Sequence, residues 1–299
     1  KPHAKKITIG ESSGRGIPTE FSFKNAGLDQ LSREWGVDLV ALEEQPVKRY
    51  VLPKAKIMKE ILIPDLYVDA IERDAYYVSV PKMKTNLYTG VTLGFKNAMG
   101  IIPYNLRQRN HNSRINEKLV DILYVLNPDL TIIDGIVGGE GNTPAPVEPV
   151  DSRVIISGTN AVETDRVATR IMGIDPKRNK LLVDATTRGF GDHDVKILGD
   201  ETPIPFRKAD PSLLSPQFRS EFPKVRCLIG FGTPKQLGIE GIEDVNYQTL
   251  RDMEKICSGG CIPSIRTAFD YVKYQGHATD FSITIILGSG LNHEGENYW

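Results

Sequence analysis

The chain has 299 residues, of which 40% are hydrophobic and 25% charged, an ordinary composition for a globular protein with a sizeable core. Its 37 Lys and Arg balance 38 Asp and Glu, so a net charge of -1 gives no general electrostatic case for nucleic-acid binding. No segment approaches the roughly 18 consecutive apolar residues that cross a membrane. We therefore expect neither nucleic-acid nor membrane binding.

The first part of the chain alternates between strand and helix patterns. Residues 6–12 predict a strand, residues 19–35 have helical spacing up to Gly36, and residues 37–43 predict a second strand. This βαβ order with short connections is typical of a parallel sheet. Further along, we expect a small hairpin from strands at 50–52 and 60–63, a short helix at 66–73 and a buried strand at 75–80.

The middle of the chain continues the alternation. We predict helices at 85–99, 115–126 and 161–172, and strands at 129–136 and 153–157. Beyond about residue 190 the pattern weakens, although 246–256 and 264–275 look helical and 281–287 predicts a final strand. The prediction is an α/β fold with an open, mostly parallel sheet and flanking helices. Residues 1–200 would form the core domain, and residues 201–299 a looser C-terminal extension packed on it.

Lysines and asparagines crowd the segment after the strand at 75–80. If the extended backbone continues, Lys82 and Lys84 point to the same side, and ligands of open parallel sheets bind beyond the carboxyl ends of strands. On the predicted helix that follows, Lys96 and Asn97 share one face. Lysines suit a carboxylate or a phosphate as point charges, with Asn97 fixing its orientation. The alternative is a solvated loop.

The segment IIDGIVGGEGNTP, residues 132–144, is rich in glycine. Its strand ends at Asp134, and four glycines then bring backbone N–H groups together, as in loops that cradle anions. It is neither a dinucleotide fingerprint nor a Walker loop. Asp134 and Glu140 could instead hold a divalent metal or move protons. The alternative is a flexible turn between strands.

Three further polar residues are candidates. Asp165 lies in the first turn of a predicted helix, where it suits the helix dipole or pairs with the lysines across a crevice. His111 lies among cations in RQRNHNSR; these should lower its pKa and leave a neutral base or ligand, unless it is plain surface. His193, between Asp192 and Asp194, forms a weak metal-like cluster.

The chain has three cysteines, and an odd number fits a reducing compartment, so we expect a cytoplasmic protein. Cys257 and Cys261 have CxxxC spacing. Zinc sites and iron–sulfur clusters usually take four ligands, so a fourth, beside Cys227, would come from His277, a second subunit or a missing segment. The alternative is buried apolar cysteines. The chain has neither an initiator Met nor a signal-peptide core, so we expect a processed or omitted N-terminus.

Five segments occur in order: IGES, VSVPKMKTN, GVTLGFKNAMG, IIDGIVGGEGNTP and ETDRVATRIMGIDP. Together they resemble an uncharacterised family, domain of unknown function 362, over about residues 7–176. Many members carry ferredoxin-like 4Fe–4S modules, which implies redox metabolism or the maturation of a redox enzyme. This sequence lacks their CxxCxxCxxxC run. The resemblance marks as functional Lys82, Lys84, Asn86, Lys96, Asn97, Asp134 and Asp165.

We therefore predict a metabolic enzyme acting on a small anionic metabolite, bearing a carboxylate or a phosphate, in a polar crevice. The ligand-binding residues would be Lys82, Lys84, Asn86, Lys96, Asn97, Gly139 and Asn142. The proton-handling residues would be Asp134, His111 and Asp165, and a metal or cluster would bind Cys257 and Cys261. One alternative is an iron–sulfur electron-transfer or maturation protein with a redox partner protein, and another is a non-catalytic binding module.

Overall fold

A computed structural model describes residues 4–14, 17–111, 114–144, 146–191, 195–213, 215–229 and 261–287. Its strands are β1 Thr8–Glu11, β2 Asp38–Ala41, β3 Val47–Val51, β4 Glu60–Pro64, β5 Val78–Ser79, β6 Lys82–Asn86, β7 Gly90–Thr92, β8 Leu130–Glu140, β9 Glu148–Val150, β10 Val154–Gly158, β11 Val225–Ile229 and β12 Ile283–Leu287. Its α-helices are α1 Thr19–Asn25, α2 Leu28–Trp35, α3 Val68–Glu72, α4 Tyr104–Asn110, α5 Ile115–Ile122, α6 Ala161–Ile171, α7 Lys180–Thr187, α8 Pro216–Glu221 and α9 Cys261–Tyr274. Short 3₁₀ helices are Leu42–Glu44, Asp65–Tyr67, Phe95–Ile101 and Pro176–Arg178.

Strand β8 is the centre of the main sheet. It pairs in parallel with β5 and β6, and antiparallel with β9 and β10, while β7 extends the sheet beyond β6. Two further parallel pairs, β1 with β2 and β11 with β12, and the antiparallel hairpin of β3 and β4 form separate small sheets. Helix α6 packs on β8 and β10. The predicted α/β class, with an open sheet and flanking helices, is confirmed.

Local chemistry explains several element boundaries. Gly27 has a φ of 71°, which is comfortable only for glycine, and it divides the predicted helix at residues 19–35 into α1 and α2. At the start of α6 the Asn160 side chain accepts hydrogen bonds from the backbone N–H groups of Val162 and Glu163. This N-cap satisfies donors that have no partner within the helix.

The helix predicted for residues 85–99 is wrong. The segment instead completes β6, turns into β7 and then enters the 3₁₀ helix Phe95–Ile101. The Asn86 side chain accepts hydrogen bonds from the backbone N–H groups of Tyr88 and Thr89, which fixes a turn, and Gly90 follows with a φ of 80°. Asparagine and glycine favour such turns over helix interiors, and this local chemistry outweighs the apolar spacing.

Most of the glycine-rich segment is a strand, so the predicted loop and the alternative flexible turn are wrong for residues 132–140, whereas ligand binding at Gly139 stays a prediction. Residues 130–140 form the continuous strand β8. A Cβ atom added at Gly135 would lie 2.8 Å from the Val154 carbonyl oxygen, and one at Gly138 would lie 2.6 Å from the Phe206 ring. Glycine is present because neighbouring atoms pack directly against the strand backbone.

The buried apolar residues form three clusters. The largest joins the β3–β4 hairpin to the helices around it and includes Ile63, Phe95, Ile115, Leu119 and Ile122. The second lies between the main sheet and α6 and includes Met83, Leu93, Ile133, Ala168 and Phe206. The third includes Leu213, Phe218, Phe222, Ile262 and Phe269. Because Phe206 packs in the second cluster, the chain beyond residue 200 contacts the core; the division at residue 200 stays a prediction.

Asp121 ties the turn between β3 and β4 to helices α5 and α7. Its fully buried carboxylate accepts hydrogen bonds from the backbone N–H groups of Lys56, Ile57 and Met58 at 2.7–2.8 Å. It also pairs with the buried Arg188 guanidinium at 2.5 Å. Every charge in this group therefore has partners, as a buried charge requires.

Replacing Asp121 by alanine should destabilise the fold strongly. The change leaves three backbone donors without their acceptor and removes one of the carboxylates that hold Arg188, so we expect a loss of about 3–5 kcal/mol in the free energy of unfolding. Urea unfolding followed by circular dichroism measures it. Glu60→Ala is the control, because that carboxylate pairs with Arg49 on the exposed surface. Equal losses in the two variants would contradict this account.

Candidate functional site

Lys96 is the most unusual charged residue in the described part of the chain. It lies in the 3₁₀ helix Phe95–Ile101 and is only 7% exposed. Its ammonium has no hydrogen-bond or ion-pair partner among the described residues. Burial, together with the nearby charge of Lys84, lowers the pKa of Lys96 from 10.5 to about 7. The side chain therefore exchanges between its charged and neutral forms near neutral pH.

Lys84 lies in β6 and is half-buried. Burial lowers its pKa, Glu11 raises it, and Lys82 lowers it again. Lys84 likewise has no hydrogen-bond or ion-pair partner within the described ranges. Two lysines, of which only Lys84 feels an acidic group, thus act on each other in a partly desolvated space, an arrangement that favours the binding of an anion.

His111 lies at the end of α4, where the charge of Lys96 acts on it. Its ring makes an edge-to-face contact with the Tyr88 ring, with 4.5 Å between centroids. Burial lowers the pKa of His111 to about 4, with further lowering by Lys96, Arg107 and Lys118. The expected lowering by neighbouring cations is confirmed, although burial is the larger cause. His111 is therefore neutral at neutral pH and has the capacity to accept a proton or a hydrogen bond.

Arg107 was not predicted from the sequence as a site residue, but it lies near His111 and its charge lowers the pKa of that histidine. Its buried guanidinium donates to the carbonyl oxygens of Ser13 at 2.7 Å, Ser12 at 3.3 Å and Gly100 at 3.4 Å. These bonds join the loop after β1 to the 3₁₀ helix Phe95–Ile101. One signal was available: Arg107 and His111 are four residues apart in a helical segment and so lie on one face.

These residues define what we call the Lys96 crevice: Glu11, Lys84, Lys96, Arg107 and His111. The Glu11 charge acts on Lys84 and Arg107. In contrast, no acidic group among the described residues raises the pKa of Lys96. The crevice therefore has an excess of positive charge where water is partly excluded, and electrostatic attraction to a small anion is strong in such a place.

Asp165 holds the backbone segment that immediately precedes Lys96. Its carboxylate, 1% exposed, accepts hydrogen bonds from the backbone N–H groups of Gly94 at 2.6 Å and Phe95 at 3.3 Å. Burial raises the pKa of Asp165 to about 8, although the two hydrogen bonds lower it. Asp165 thus fixes the backbone immediately before Lys96. The geometry gives it a positioning role, whereas its predicted role in proton transfer stays a prediction.

Lys82 and Asp134 form an ion pair of 2.5 Å on the exposed surface of the main sheet. The hydrogen bond from Lys82 lowers the pKa of Asp134, so this carboxylate is ionised at neutral pH. A register shift between β6 and β8 separates the surroundings of Lys82 and Lys84: Lys82 lies opposite Asp134, whereas Lys84 lies opposite Gly139. Lys82, Asp134 and Gly139 stay predictions as site residues.

The predicted asparagines have partners within the fold. Asn86 accepts hydrogen bonds in the β6–β7 turn, and Asn97 donates to the Ser79 hydroxyl at 3.3 Å. Asn142 donates to Asp270 of α9 at 2.7 Å, which connects the core to the C-terminal extension. Their roles as ligand-binding residues stay predictions.

Within the described ranges no three or more His, Cys, Asp or Glu side chains are arranged to hold a metal ion. Cys227 is half-buried in β11, where burial raises the pKa of its thiol, and Cys261 is exposed at the start of α9. Cys257 and His193 lie outside the described residues. The described residues therefore do not form a metal or iron–sulfur site, and the roles assigned below do not involve one.

A surface depression of about 280 Å³ lies over the 3₁₀ helix Pro176–Arg178 and α7. It is open to solvent, and its carboxylate, Asp184, is already paired with Lys56 and Arg188. Because the carboxylate of this depression is already paired, the Lys96 crevice is the stronger candidate for a functional site.

The model of the family called domain of unknown function 362 matches residues 1–170, more than half of the chain. The chain belongs to this family. The resemblance of the five segments is thereby confirmed. A curated relative, the thylakoid-associated protein sll1697 of Synechocystis sp. strain ATCC 27184 / PCC 6803 / Kazusa, is 30% identical over 114 residues.

That match covers 36% of this chain and 35% of the thylakoid-associated protein, so the chain spans about a third of the length of the relative. No solved structure matches the chain. Among its described residues, no helix of this member of the family is long and apolar enough to cross a membrane. A cytoplasmic location stays a prediction.

The buried Lys96 should make stability depend on pH. Between about pH 7 and 10.5 the unfolded lysine holds a proton that the folded one has lost, so the free energy of unfolding rises with pH across this window. Lys96→Met removes this contribution. We expect the variant to be more stable than the wild type below about pH 7, with the difference shrinking toward pH 10.5.

Thermal unfolding at a series of pH values measures this difference. Lys82→Met is the matched control, because it makes the same change at a lysine that is exposed and ion-paired. A Lys96→Met variant that is less stable than the wild type at every pH would contradict the account of Lys96 as an uncompensated buried charge.

Proposed function

We propose that this protein is an enzyme that binds a small carboxylate- or phosphate-bearing molecule in the Lys96 crevice. The observation that carries the proposal is the burial of Lys96 without a counter-ion among the described residues. A buried charge without a partner costs stability. A fold retains such a group when it serves a ligand, and here the missing partner is an anion.

The surroundings of Lys96 support a division of roles. Lys84, which is half-buried and reaches solvent, would hold the anionic group as a point charge. His111 is neutral because of its burial and its cationic neighbours, so it would exchange a proton with the bound molecule. Contact with Tyr88 restricts the imidazole ring. Arg107 would hold the loop after β1 against the crevice.

The other readings of the sequence have less support. An iron–sulfur electron-transfer or maturation role, with a redox partner protein, rests on the three cysteines, Cys227, Cys257 and Cys261, and on family association. The name of the curated relative says that it is associated with thylakoids, and it names no reaction. A non-catalytic module that binds an anionic metabolite would use the same crevice, and only retention of the ligand without turnover separates it from an enzyme.

Anion binding should depend on Lys84 and Lys96. Removing one cation from a partly desolvated anion site costs about 1.5–3 kcal/mol, so Lys84→Gln and Lys96→Met should each weaken the binding of phosphate or pyruvate by roughly tenfold or more. Isothermal titration calorimetry at low salt measures the dissociation constants. Lys48→Gln is the control, since it removes an exposed lysine that is paired with Glu72, and it should bind as the wild type does.

Native mass spectrometry of the purified protein, with iron and sulfide analysis, complements the titration. A retained small anion that is lost in Lys96→Met supports the proposal and identifies the ligand. Wild-type affinity for both anions in Lys84→Gln and Lys96→Met would overturn it.

A further inference from the structure

Lys96 differs from a lysine that only attracts an anion. Such a lysine keeps its charge through hydrogen bonds or an acidic neighbour, whereas Lys96 has neither among the described residues, and its charged neighbour is another lysine. Lysines that are desolvated beside a second cation have a reactive, neutral amine. In the Lys96 crevice, Lys84 alone would suffice to hold a single carboxylate, which leaves Lys96 free for another task.

We propose that Lys96 forms an imine with the carbonyl carbon of a small anionic aldehyde or 2-oxo acid. This inference deepens the proposed function and rests on it, because it assigns a substrate class and a covalent step to the same crevice. Lys84 would bind the carboxylate or phosphate of the substrate, and Lys96 would attack the carbonyl group beside it.

The step is balanced without an oxidant or a reductant. The lone pair of the neutral Lys96 Nζ forms a C–N bond to the carbonyl carbon, and the carbonyl oxygen becomes a hydroxyl as a proton moves to it from the nitrogen. The nitrogen lone pair then forms the C=N bond as the C–O bond breaks, and the hydroxyl leaves as water with a second proton, which is replaced when the nitrogen gives up its remaining proton. Amine and carbonyl thus yield imine and water.

His111 suits the proton transfers of this step. Its imidazole is neutral and lies in the same partly desolvated space as Lys96, whose charge acts on it. A neutral imidazole accepts the proton that the nitrogen loses and returns it to the departing hydroxyl. Asp165 contributes indirectly, because its bonds to the backbone of Gly94 and Phe95 hold the segment that carries the reacting amine.

Borohydride trapping tests the imine. The full-length chain is incubated with pyruvate or glyoxylate and then with sodium borohydride, which reduces an imine to a stable secondary amine. Intact mass and peptide mapping should show one reduced adduct per chain, located on Lys96. Lys96→Arg and Lys96→Met should lose it, whereas Lys48→Gln, which removes an exposed lysine paired with Glu72, should keep it. The trapping rate should rise through about pH 7, where Lys96 loses its proton, and not near pH 10.5.

The outcomes separate this inference from the proposed function. Pyruvate binding that requires Lys84 and Lys96, but yields no trapped adduct with pyruvate or glyoxylate, overturns the imine and leaves the anion site standing. If the protein shows neither pyruvate binding nor a trapped adduct, both the anion site and the imine are overturned. Adducts spread evenly over surface lysines also overturn the imine. Peptide mapping of the wild-type protein decides the matter even if Lys96→Met fails to fold.

Discussion

The hydrogen bond from the Gly94 backbone to the buried Asp165 carboxylate is the contact on which the crevice depends. It joins α6 to the segment between β7 and the 3₁₀ helix Phe95–Ile101, and the Ser79 hydroxyl holds the same glycine from the sheet side by donating to its carbonyl oxygen. A Cβ atom at Gly94 would lie 2.7 Å from the Asp165 carboxylate, so only glycine permits this approach. Lys96 follows two residues later, and its position is therefore set by the packing of the whole core.

The chain treats its buried charges in two different ways. Asp121 and Arg188 have several partners: three backbone donors, an ion pair and a further carboxylate, Asp184. Such a group fixes secondary-structure elements, and each of its charges has a counter-charge within the fold. Lys96 is buried to a similar extent and has none of these partners among the described residues. Since the same fold gives the buried Arg188 two carboxylate counter-charges, a buried lysine without any is best explained by a function that needs it.

The sequence predicted those features that depend on neighbours along the chain: the strand and helix alternation and the β3–β4 hairpin. It predicted wrongly where tertiary packing overrides local patterns. The apolar spacing of residues 85–99 suits a helix, but the turn chemistry of Asn86 and Gly90 prevails, and the glycines of β8 serve close packing and not a loop. Arg107 was missed because its partners Ser12 and Ser13 are more than 90 residues away in the sequence. Such a long-range contact produces no periodic pattern in the sequence that could reveal it.

The charge of the ligand decides which chemistry Lys96 performs. Lys84 has no partner among the described residues, whereas Arg107 is already occupied by backbone carbonyls. A single carboxylate bound at Lys84 is neutralised by that lysine alone, and Lys96 then keeps its neutral, nucleophilic amine. A phosphate dianion would instead draw a proton onto Lys96 and convert it into a second point charge. On the proposed function, one crevice would therefore favour imine formation with a 2-oxo monocarboxylate and simple electrostatic binding with phosphate, because the ligand itself would shift the protonation of Lys96.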